Sequence, residues 1–288
     1  MTRQPLVARR AEELLGHAVV ATAPVAGGDI ATATKLRLSD GTIALMKTLT
    51  HPPEGFFESE ARGLGFLAEA GPDGVPVGEV LAVEPDCLIL RWVEQGRSTA
   101  EAAGDLGRSL AATHAVRPAS YGADQDGFVG RLPLPNRTAP TWAEFYATRR
   151  VLPYLKLAAD RGSASPEQVA AVEAVVGRLP DLVPEEGPAR IHGDLWNGNV
   201  LWGLEGRCHL IDPAAHGGHR ETDLAMLALF GLPHLTKVTE AYDEAAPLTE
   251  GWEDRLGLHQ LHPLLVHACL FGGSYAERAA QVASRYVG

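Results

Sequence analysis

The chain has 288 residues, 45% of them hydrophobic, which is enough to bury a substantial core as one large domain or as two lobes. Lys and Arg number 25 against 36 Asp and Glu, giving a formal net charge of −11, and no Lys/Arg-rich run occurs. That balance argues against nucleic acid or an anionic membrane as the main partner, and an anionic ligand on such a surface needs a local cation or a metal.

The opening segment MTRQPLVARRAEELLG mixes Arg and Glu and lacks the apolar core of a signal peptide. No later stretch approaches about 18 uninterrupted apolar residues, so a cytoplasmic protein is expected. The three cysteines, Cys87, Cys208 and Cys269, are far apart without a CxxC pair and read as reduced structural thiols.

Residues 19 to 49 have the pattern of a β-meander. Ile30, Thr32, Thr34, Leu36 and Leu38 alternate with a second face, and Asp40-Gly41 marks a hairpin turn into TIALMKTL. PPEGFFESEARGLGFLAEAG then places Phe57, Leu64 and Leu67 at helical spacing between a Pro/Gly start and a closing glycine. Short strands are expected at GEVLAV and CLILRWVE. From about residue 97 helices take over, with AEAAGDLGRSLAATHAV, TWAEFYATRRVLPYLKLAAD and SPEQVAAVEAVVGRL the clearest, interrupted by a β-like stretch at 190 to 212. LPLPNRTAP, residues 132 to 140, reads as an ordered loop or turn region. The pattern predicts an α+β chain with a β-rich lobe over 1–94, a mainly helical lobe over 95–288, and a junction near 91 to 96.

The chemistry concentrates in IHGDLWNGNVLW, residues 191 to 202, where His192, Asp194 and Asn199 form H-x-D-x-x-x-x-N. Ile211-Asp212 ends a further apolar strand. Asn199 and Asp212 offer oxygen ligands for a hard cation such as Mg²⁺, and Asp194 stays free to take a proton from a substrate hydroxyl, which is the division of labour of phosphoryl transfer. The plainer reading is that these residues satisfy turn backbone groups, as Asp and Asn commonly do. Independent support comes from Glu60 on the apolar face of the helix, where an unpaired carboxylate is expensive, and from Lys47 at the end of a neighbouring strand. An exposed Lys47 and a helix-surface Glu60 are the alternative. Gly27 and Gly28 lack G-x-G-x-x-G and serve a plain hairpin turn equally well. In a kinase the backbone amides from Gly28 through Asp29 to Ile30 would approach the ATP phosphates, with the Asp29 carboxylate turned away or capping the turn.

On the blocks GGDI, LMK, FFESEARGL, HGDLWNGN, IDPAAHGGHRETDLAM and LFGGSYAER, the chain resembles the fructosamine-3-kinase (ketosamine-3-kinase) family, within the aminoglycoside-phosphotransferase-like and protein-kinase-like fold. The resemblance implies a bilobal kinase-like fold using ATP and Mg²⁺, with Asp194 as catalytic base, Asn199 and Asp212 as metal ligands, and Lys47 and Glu60 as the phosphate-orienting pair. It makes LILRWVE the hinge, with backbone groups of Arg91 and Val93 meeting adenine. His192 and His114 become structural, and Asp223 a support for the catalytic loop. Trp196 is either a core plug or a platform for the acceptor sugar, and His216 and Arg220 are substrate-side residues. Asp212 is followed by Pro213-Ala214, so the D-F-G and A-P-E signatures are missing. Asp29 stands where some members carry a cysteine, which speaks against a thiol-based dimer switch. The implied reaction is phosphorylation of the 3-hydroxyl of a ketosamine such as fructosyl-lysine or ribulosyl-lysine, free or on a protein, in deglycation. The rivals are an aminoglycoside or choline kinase, a catalytically idle binding protein, and a metallohydrolase using Asp194, Asp212, His216 and His219.

Overall fold

The computed structural model describes residues 6–26 and 30–287. Helix α1 (Leu6–Leu15) precedes strands β1 (Val19–Val25), β2 (Thr32–Leu38) and β3 (Ile43–Thr48). Between β2 and β3 the Leu38 amide donates to Thr42 O at 2.8 Å and the Asp40 carboxylate accepts from the Thr42 amide at 2.9 Å, so the expected hairpin turn is present. Helix α2 (Phe56–Ala68) leads to β4 (Val80–Glu84) and β5 (Cys87–Arg91). The five strands form one antiparallel sheet in the order β1-β2-β3-β5-β4.

The apolar spacing of α2 decides how it sits. Phe57 and Leu64 bury against Leu88 and Leu90 of β5, each such burial contributing roughly 1.5–3 kcal/mol. Glu60, on the same stripe one turn along, is thereby drawn toward the sheet. The other sheet face buries Leu36, Met46 and Ile89 with Ala11 of α1.

After an extended connection, α3 (Ala100–Ala115) is capped by Thr99, whose hydroxyl accepts from the Ala102 amide. A short hairpin of β6 (Gly127–Val129) and β7 (Leu132–Leu134) follows, so the segment expected to be loop from residue 132 begins as a strand. TWAEFYATRRVLPYLKLAAD is not one regular helix: α4 (Trp142–Phe145) and α5 (Leu152–Asp160) flank a π-helical turn, Tyr146–Val151. Pro153 has no N–H for the Arg149 carbonyl four residues back, and that carbonyl takes the Arg150 guanidinium at 3.2 Å.

Helix α6 (Pro166–Val176) opens on a capping box of Ser165 and Gln168, and α7 (Leu179–Leu182) follows. The β-like stretch resolves into β8 (Ala189–Ile191), a 3₁₀ turn at Asn197–Asn199, β9 (Val200–Trp202) and β10 (Cys208–Leu210), with β11 (His216–Gly218) pairing back onto β8. Helices α8 (Glu221–Phe230), α9 (Leu235–Ala245), α10 (Trp252–Phe271) and α11 (Tyr275–Ser284) complete the chain. Leu106 and Leu110 of α3 pack with Val238 and Tyr242 of α9 and with Leu195 and Val200 of the motif. A Cβ at Gly107 would collide with the Val238 carbonyl, so only glycine lets these helices approach this closely. The connection after β5 is tied to the lower part, the Gly96 amide donating to Trp202 O and the Leu204 amide to Glu94 O. The result is the expected α+β architecture, a five-stranded lobe with α2 above a mainly helical lobe. Among the described residues no helix is long and apolar enough to cross a membrane.

Candidate active site

Lys47 reaches from β3 into the space between the lobes. Its Nζ donates to both carboxylate oxygens of Glu60, at 2.7 and 2.8 Å, and to Asp212 Oδ1 at 2.6 Å. The exposed alternative is thereby excluded. Burial disfavours each of these charges, but Glu60 and Asp212 together hold the ammonium above its ordinary range. Burial likewise opposes ionised Asp212, and Lys47 outweighs it, keeping that carboxyl below the usual range. Glu60, which shares its one cation, is pushed by burial up to about 7.

Asp194 stands on a loop held rigidly from behind. The fully buried Asp223, on α8, accepts from the amides of His192 at 2.7 Å and Gly193 at 2.9 Å, and from His114 Nε2 at 3.1 Å. His114 Nδ1 meets the Tyr242 hydroxyl at 2.8 Å. The His192 ring spans two segments: Nε2 is 2.9 Å from Ile211 O, and Nδ1 accepts from the Asp194 amide at 3.2 Å. Burial lowers its pKa, so it is a neutral structural group. Gly193 has φ +79, and a Cβ there would run into the Ala214 carbonyl. Asp212 takes the left-handed conformation, φ +56, uncommon outside glycine, where the chain leaves β10 and turns its carboxylate to Lys47.

Asn199 spends its amide N–H groups on the Asp194 carbonyl at 2.8 Å and carboxylate at 3.3 Å, with the Asp212 carbonyl at 3.5 Å, and among the described residues its side-chain oxygen has no hydrogen-bond partner. Asp194 is half-buried, and desolvation followed by the charge of Asp212 pushes it up to about 7, Asn199 opposing. Glu60 and Asp212 thus share one ammonium, and Asp194 stands near enough to feel the charge of Asp212 with no cation of its own. The uncompensated negative charge and the free amide oxygen are what a hard divalent cation requires of its donors.

The remaining sequence candidates divide. Gly28 and Asp29 lie outside the described residues, while the Ile30 carbonyl accepts from Arg131 at 3.2 Å. The Arg91 amide donates to Glu79 O at 2.8 Å and its guanidinium is clamped by the Glu79 carboxylate, so that N–H is not available to a ligand. Val93 is half-buried in the extended connection. Trp196 is 38% exposed beside Phe230, which does not fit a core plug.

Two substrate-side expectations are corrected. His216 is buried on β11, with Nδ1 2.8 Å from Ala214 O and its ring against Phe145. The Arg220 guanidinium is spent on Glu186, at 2.8 and 2.9 Å, and on the carbonyls of Ala246 and Pro247. Pairing of β11 with β8 sets the buried His216 opposite Ile191 and against Gly193, behind the loop that carries Asp194, while Arg220 is drawn to Glu186. Arg220 lines a separate cavity of about 440 Å³ with His114, Glu185 and Tyr242, whereas the space touching Asp194 is about 10 Å³, bounded by Val129, Gly193, Met226, His262, Pro263 and His267. Of these two spaces only the smaller is bounded by Asp194.

The metallohydrolase set does not assemble either. The ligand atoms that converge, within 4.8 Å, are those of His219, Glu221 and His259. Arg255 already supplies the positive charge there, its guanidinium on the Glu221 carboxylate at 2.6 and 3.1 Å. The β6–β7 hairpin, which the expected loop at 132 to 140 does not describe, has its own signal in the sequence, a Gly-Arg pair between apolar residues in FVGRLPL.

A strand lysine paired to a helix glutamate, facing a loop carboxylate, an asparagine and a second aspartate across two lobes, defines the kinase-like phosphotransferases that use ATP. The fold agrees: the ADP-bound aminoglycoside phosphotransferase APH(2'')-Ib superposes with a TM-score of 0.67 over 99% of each chain, at 13% identity. More narrowly, the chain belongs to the fructosamine kinase family, whose profile matches residues 4–287. A probable ketoamine kinase of Thermus thermophilus is 40% identical over 253 residues, 88% of each chain. The chloroplastic protein-ribulosamine 3-kinase of Arabidopsis thaliana is 30% identical over 272 residues, covering 91% of this chain and 81% of the relative. A crystal structure from Thermobifida fusca, provisionally called a fructosamine-3-kinase, is 48% identical over 98% of each chain with a TM-score of 0.92.

Proposed function

We propose that the protein transfers the γ-phosphoryl group of ATP to the 3-hydroxyl of a ketosamine, fructosyl-lysine or ribulosyl-lysine, free or on a glycated protein, in the cytoplasm. The observation that carries this is the convergence of Lys47, Glu60, Asp212, Asn199 and Asp194 in a member of this family. Residues 1–94 form the ATP-binding lobe in this reading and 95–288 the acceptor lobe. Val93 supplies the backbone contact to adenine that the Arg91 amide, already spent, does not. Glu60 aims Lys47 at the phosphates, and Asp194 orients the sugar hydroxyl and takes its proton as the new O–P bond forms and ADP leaves. A carboxylate poised near 7 suits that task better than one with an ordinary pKa. Asn199 and Asp212 would hold Mg²⁺, which when bound neutralises charge on the transferring phosphates. The exposed Trp196 face, continued by Phe230 and His267, supports a stacking wall for the sugar beside Asp194.

The test is phosphorylation of fructosyl-lysine, ribulosyl-lysine and kanamycin side by side with ATP and Mg²⁺, using the wild type and Asp194→Asn. Phosphorylation of a ketosamine, lost in the variant, is the expected result. Reaction with kanamycin alone transfers the assignment to an aminoglycoside kinase, and absence of any ATP turnover leaves a binding protein.

A further inference from the structure

The β6–β7 hairpin belongs to the acceptor lobe in sequence, yet it touches three other parts of the site. At its tip the Arg131 guanidinium donates to Ile30 O at 3.2 Å, across to the stretch between β1 and β2. Gly130, at φ +59, lets the turn fit so closely that a Cβ would lie 3.1 Å from Leu270 Cδ1 and 3.4 Å from Ile30 Cδ1. Val129, one residue earlier, bounds the space beside Asp194. Along its flank Phe128 packs on Phe56 with ring centroids 5.3 Å apart, and Arg62 donates to Asp126 O at 3.4 Å, so the same hairpin leans on the helix that carries Glu60.

Its base is fixed independently. The Asn136 amide donates to Asp126 Oδ1 at 2.7 Å and the Asn136 side chain to Gln125 O at 3.1 Å. Arg150, fully buried at the π-helical turn, grips Asn136 Oδ1 at 2.6 Å and Pro135 O at 2.5 Å. Tyr154 adds a hydrogen bond to Pro133 O at 2.7 Å. A buried guanidinium spent on carbonyl groups rather than on a carboxylate serves here to hold backbone, and it holds the root of this hairpin. The tip is therefore a rigid strut and not a loose loop. Arg131 itself is exposed and is paired with no carboxylate among the described residues, so the Ile30 carbonyl is its one protein partner there.

We propose that Arg131 is a positioning residue for the transfer reaction. Through Ile30 it fixes the entry to β2 against the wall that Val129 presents to the acceptor, so that nucleotide and acceptor bind cooperatively. The proposal rests on the kinase reading and adds a route by which the two substrates sense each other.

The experiment measures Arg131→Ala and Arg131→Lys beside wild type. Affinity for the ATP analogue AMP-PNP with Mg²⁺ is read by calorimetry in the absence of acceptor, and kcat and KM for ATP and fructosyl-lysine are read separately. Arg131→Ala is expected to weaken AMP-PNP about 5- to 10-fold and to raise both KM values, with kcat within about threefold of wild type. Arg131→Lys, able to reach the same carbonyl, restores part of the loss. The side chain is exposed, so the melting temperature should not move. An AMP-PNP affinity within about twofold of wild type overturns the proposal, as does a fall in kcat with both KM values unchanged. Wild type that binds AMP-PNP but leaves fructosyl-lysine unphosphorylated overturns the substrate assignment instead, and the nucleotide comparison still decides the role of Arg131.

Discussion

Asp223→Asn isolates the support behind the loop that carries Asp194, because the two side chains have nearly the same shape. Asp223 Oδ1 accepts from Gly193, and Oδ2 from His192 and His114, so an asparagine keeps two of the three contacts only by turning its NH₂ toward the Gly193 amide. One charge-assisted bond, about 1.5–3 kcal/mol, is then replaced by two opposed donors, and the other two bonds fall to neutral strength, about 1 kcal/mol less each. Relief of burying a full carboxylate returns part of this, leaving a net loss of about 2–4 kcal/mol. Thermal melting followed by circular dichroism should drop by about 5–10 °C. A displaced loop also moves Asp194, and a misplacement of about 1 Å costs on the order of 100-fold in kcat. Measured on folded variant well below its melting point, the loss should fall on kcat with KM for ATP little changed. Melting within about 2 °C of wild type together with an unaltered kcat would show that Asp223 does not hold the loop.

Acid should destabilise the protein earlier than carboxylate titration explains. Burial holds His192, His216, His219, His259 and His262 below the ordinary histidine range, His219 to about 3. Their folded pKa values lie below the unfolded value near 6.5, so the unfolded chain binds more protons in between; their contribution is full above about 6.5 and falls as pH drops, by up to about 1.4 kcal/mol per unit for each histidine, offset in part by Glu60 and Asp194, which burial raises to about 7 and which take up protons in the folded state. Glu221, where Arg255 and His259 outweigh burial and bring the carboxyl down to about 2, adds a further loss below about 4.5. A melting temperature flat from pH 8 to pH 5 contradicts the neutral-histidine assignment. Arg220→Met, which strands the half-buried Glu186, should cost about 1–3 kcal/mol in urea unfolding and leave the acceptor KM unchanged; a raised KM at unchanged stability would return Arg220 to the substrate side.

What could be read from the sequence was whatever depended on local pattern or on the chemistry of a single residue. Glu60 on the Phe57–Leu64 stripe announced its own need for a cation, and Lys47 met it. The alternation through Leu36 and Leu38 gave β2, and the Asp40-Gly41 turn gave β3. For His216 and Arg220, nearness to Asp212 in sequence suggests nearness to the substrate but does not record that three-residue β11 pairs with β8, which buries one and delivers the other to Glu186. The π-helical turn depends on a missing N–H at Pro153 and a buried partner for Arg150, neither of which apolar spacing records.

The residues that assemble the candidate site differ in how they can be replaced. Lys47, Glu60, Asp194 and Asp212 form a cluster whose charges do not cancel, and such a cluster is stable only because a preorganised frame keeps it from collapsing or hydrating apart. Asp223 provides that frame below, tying two consecutive amides with one carboxylate, and the left-handed Asp212 shows the chain held in a conformation it would not adopt alone. An uncompensated negative charge beside a lysine is a poor way to stabilise a fold and a good way to hold a metal–phosphate group, since the same Coulomb terms that oppose the protein without its substrates favour it with them. On that argument nucleotide with Mg²⁺ should raise the melting temperature far more than nucleotide alone, because the carboxylates would repel phosphates whose charge no cation offsets.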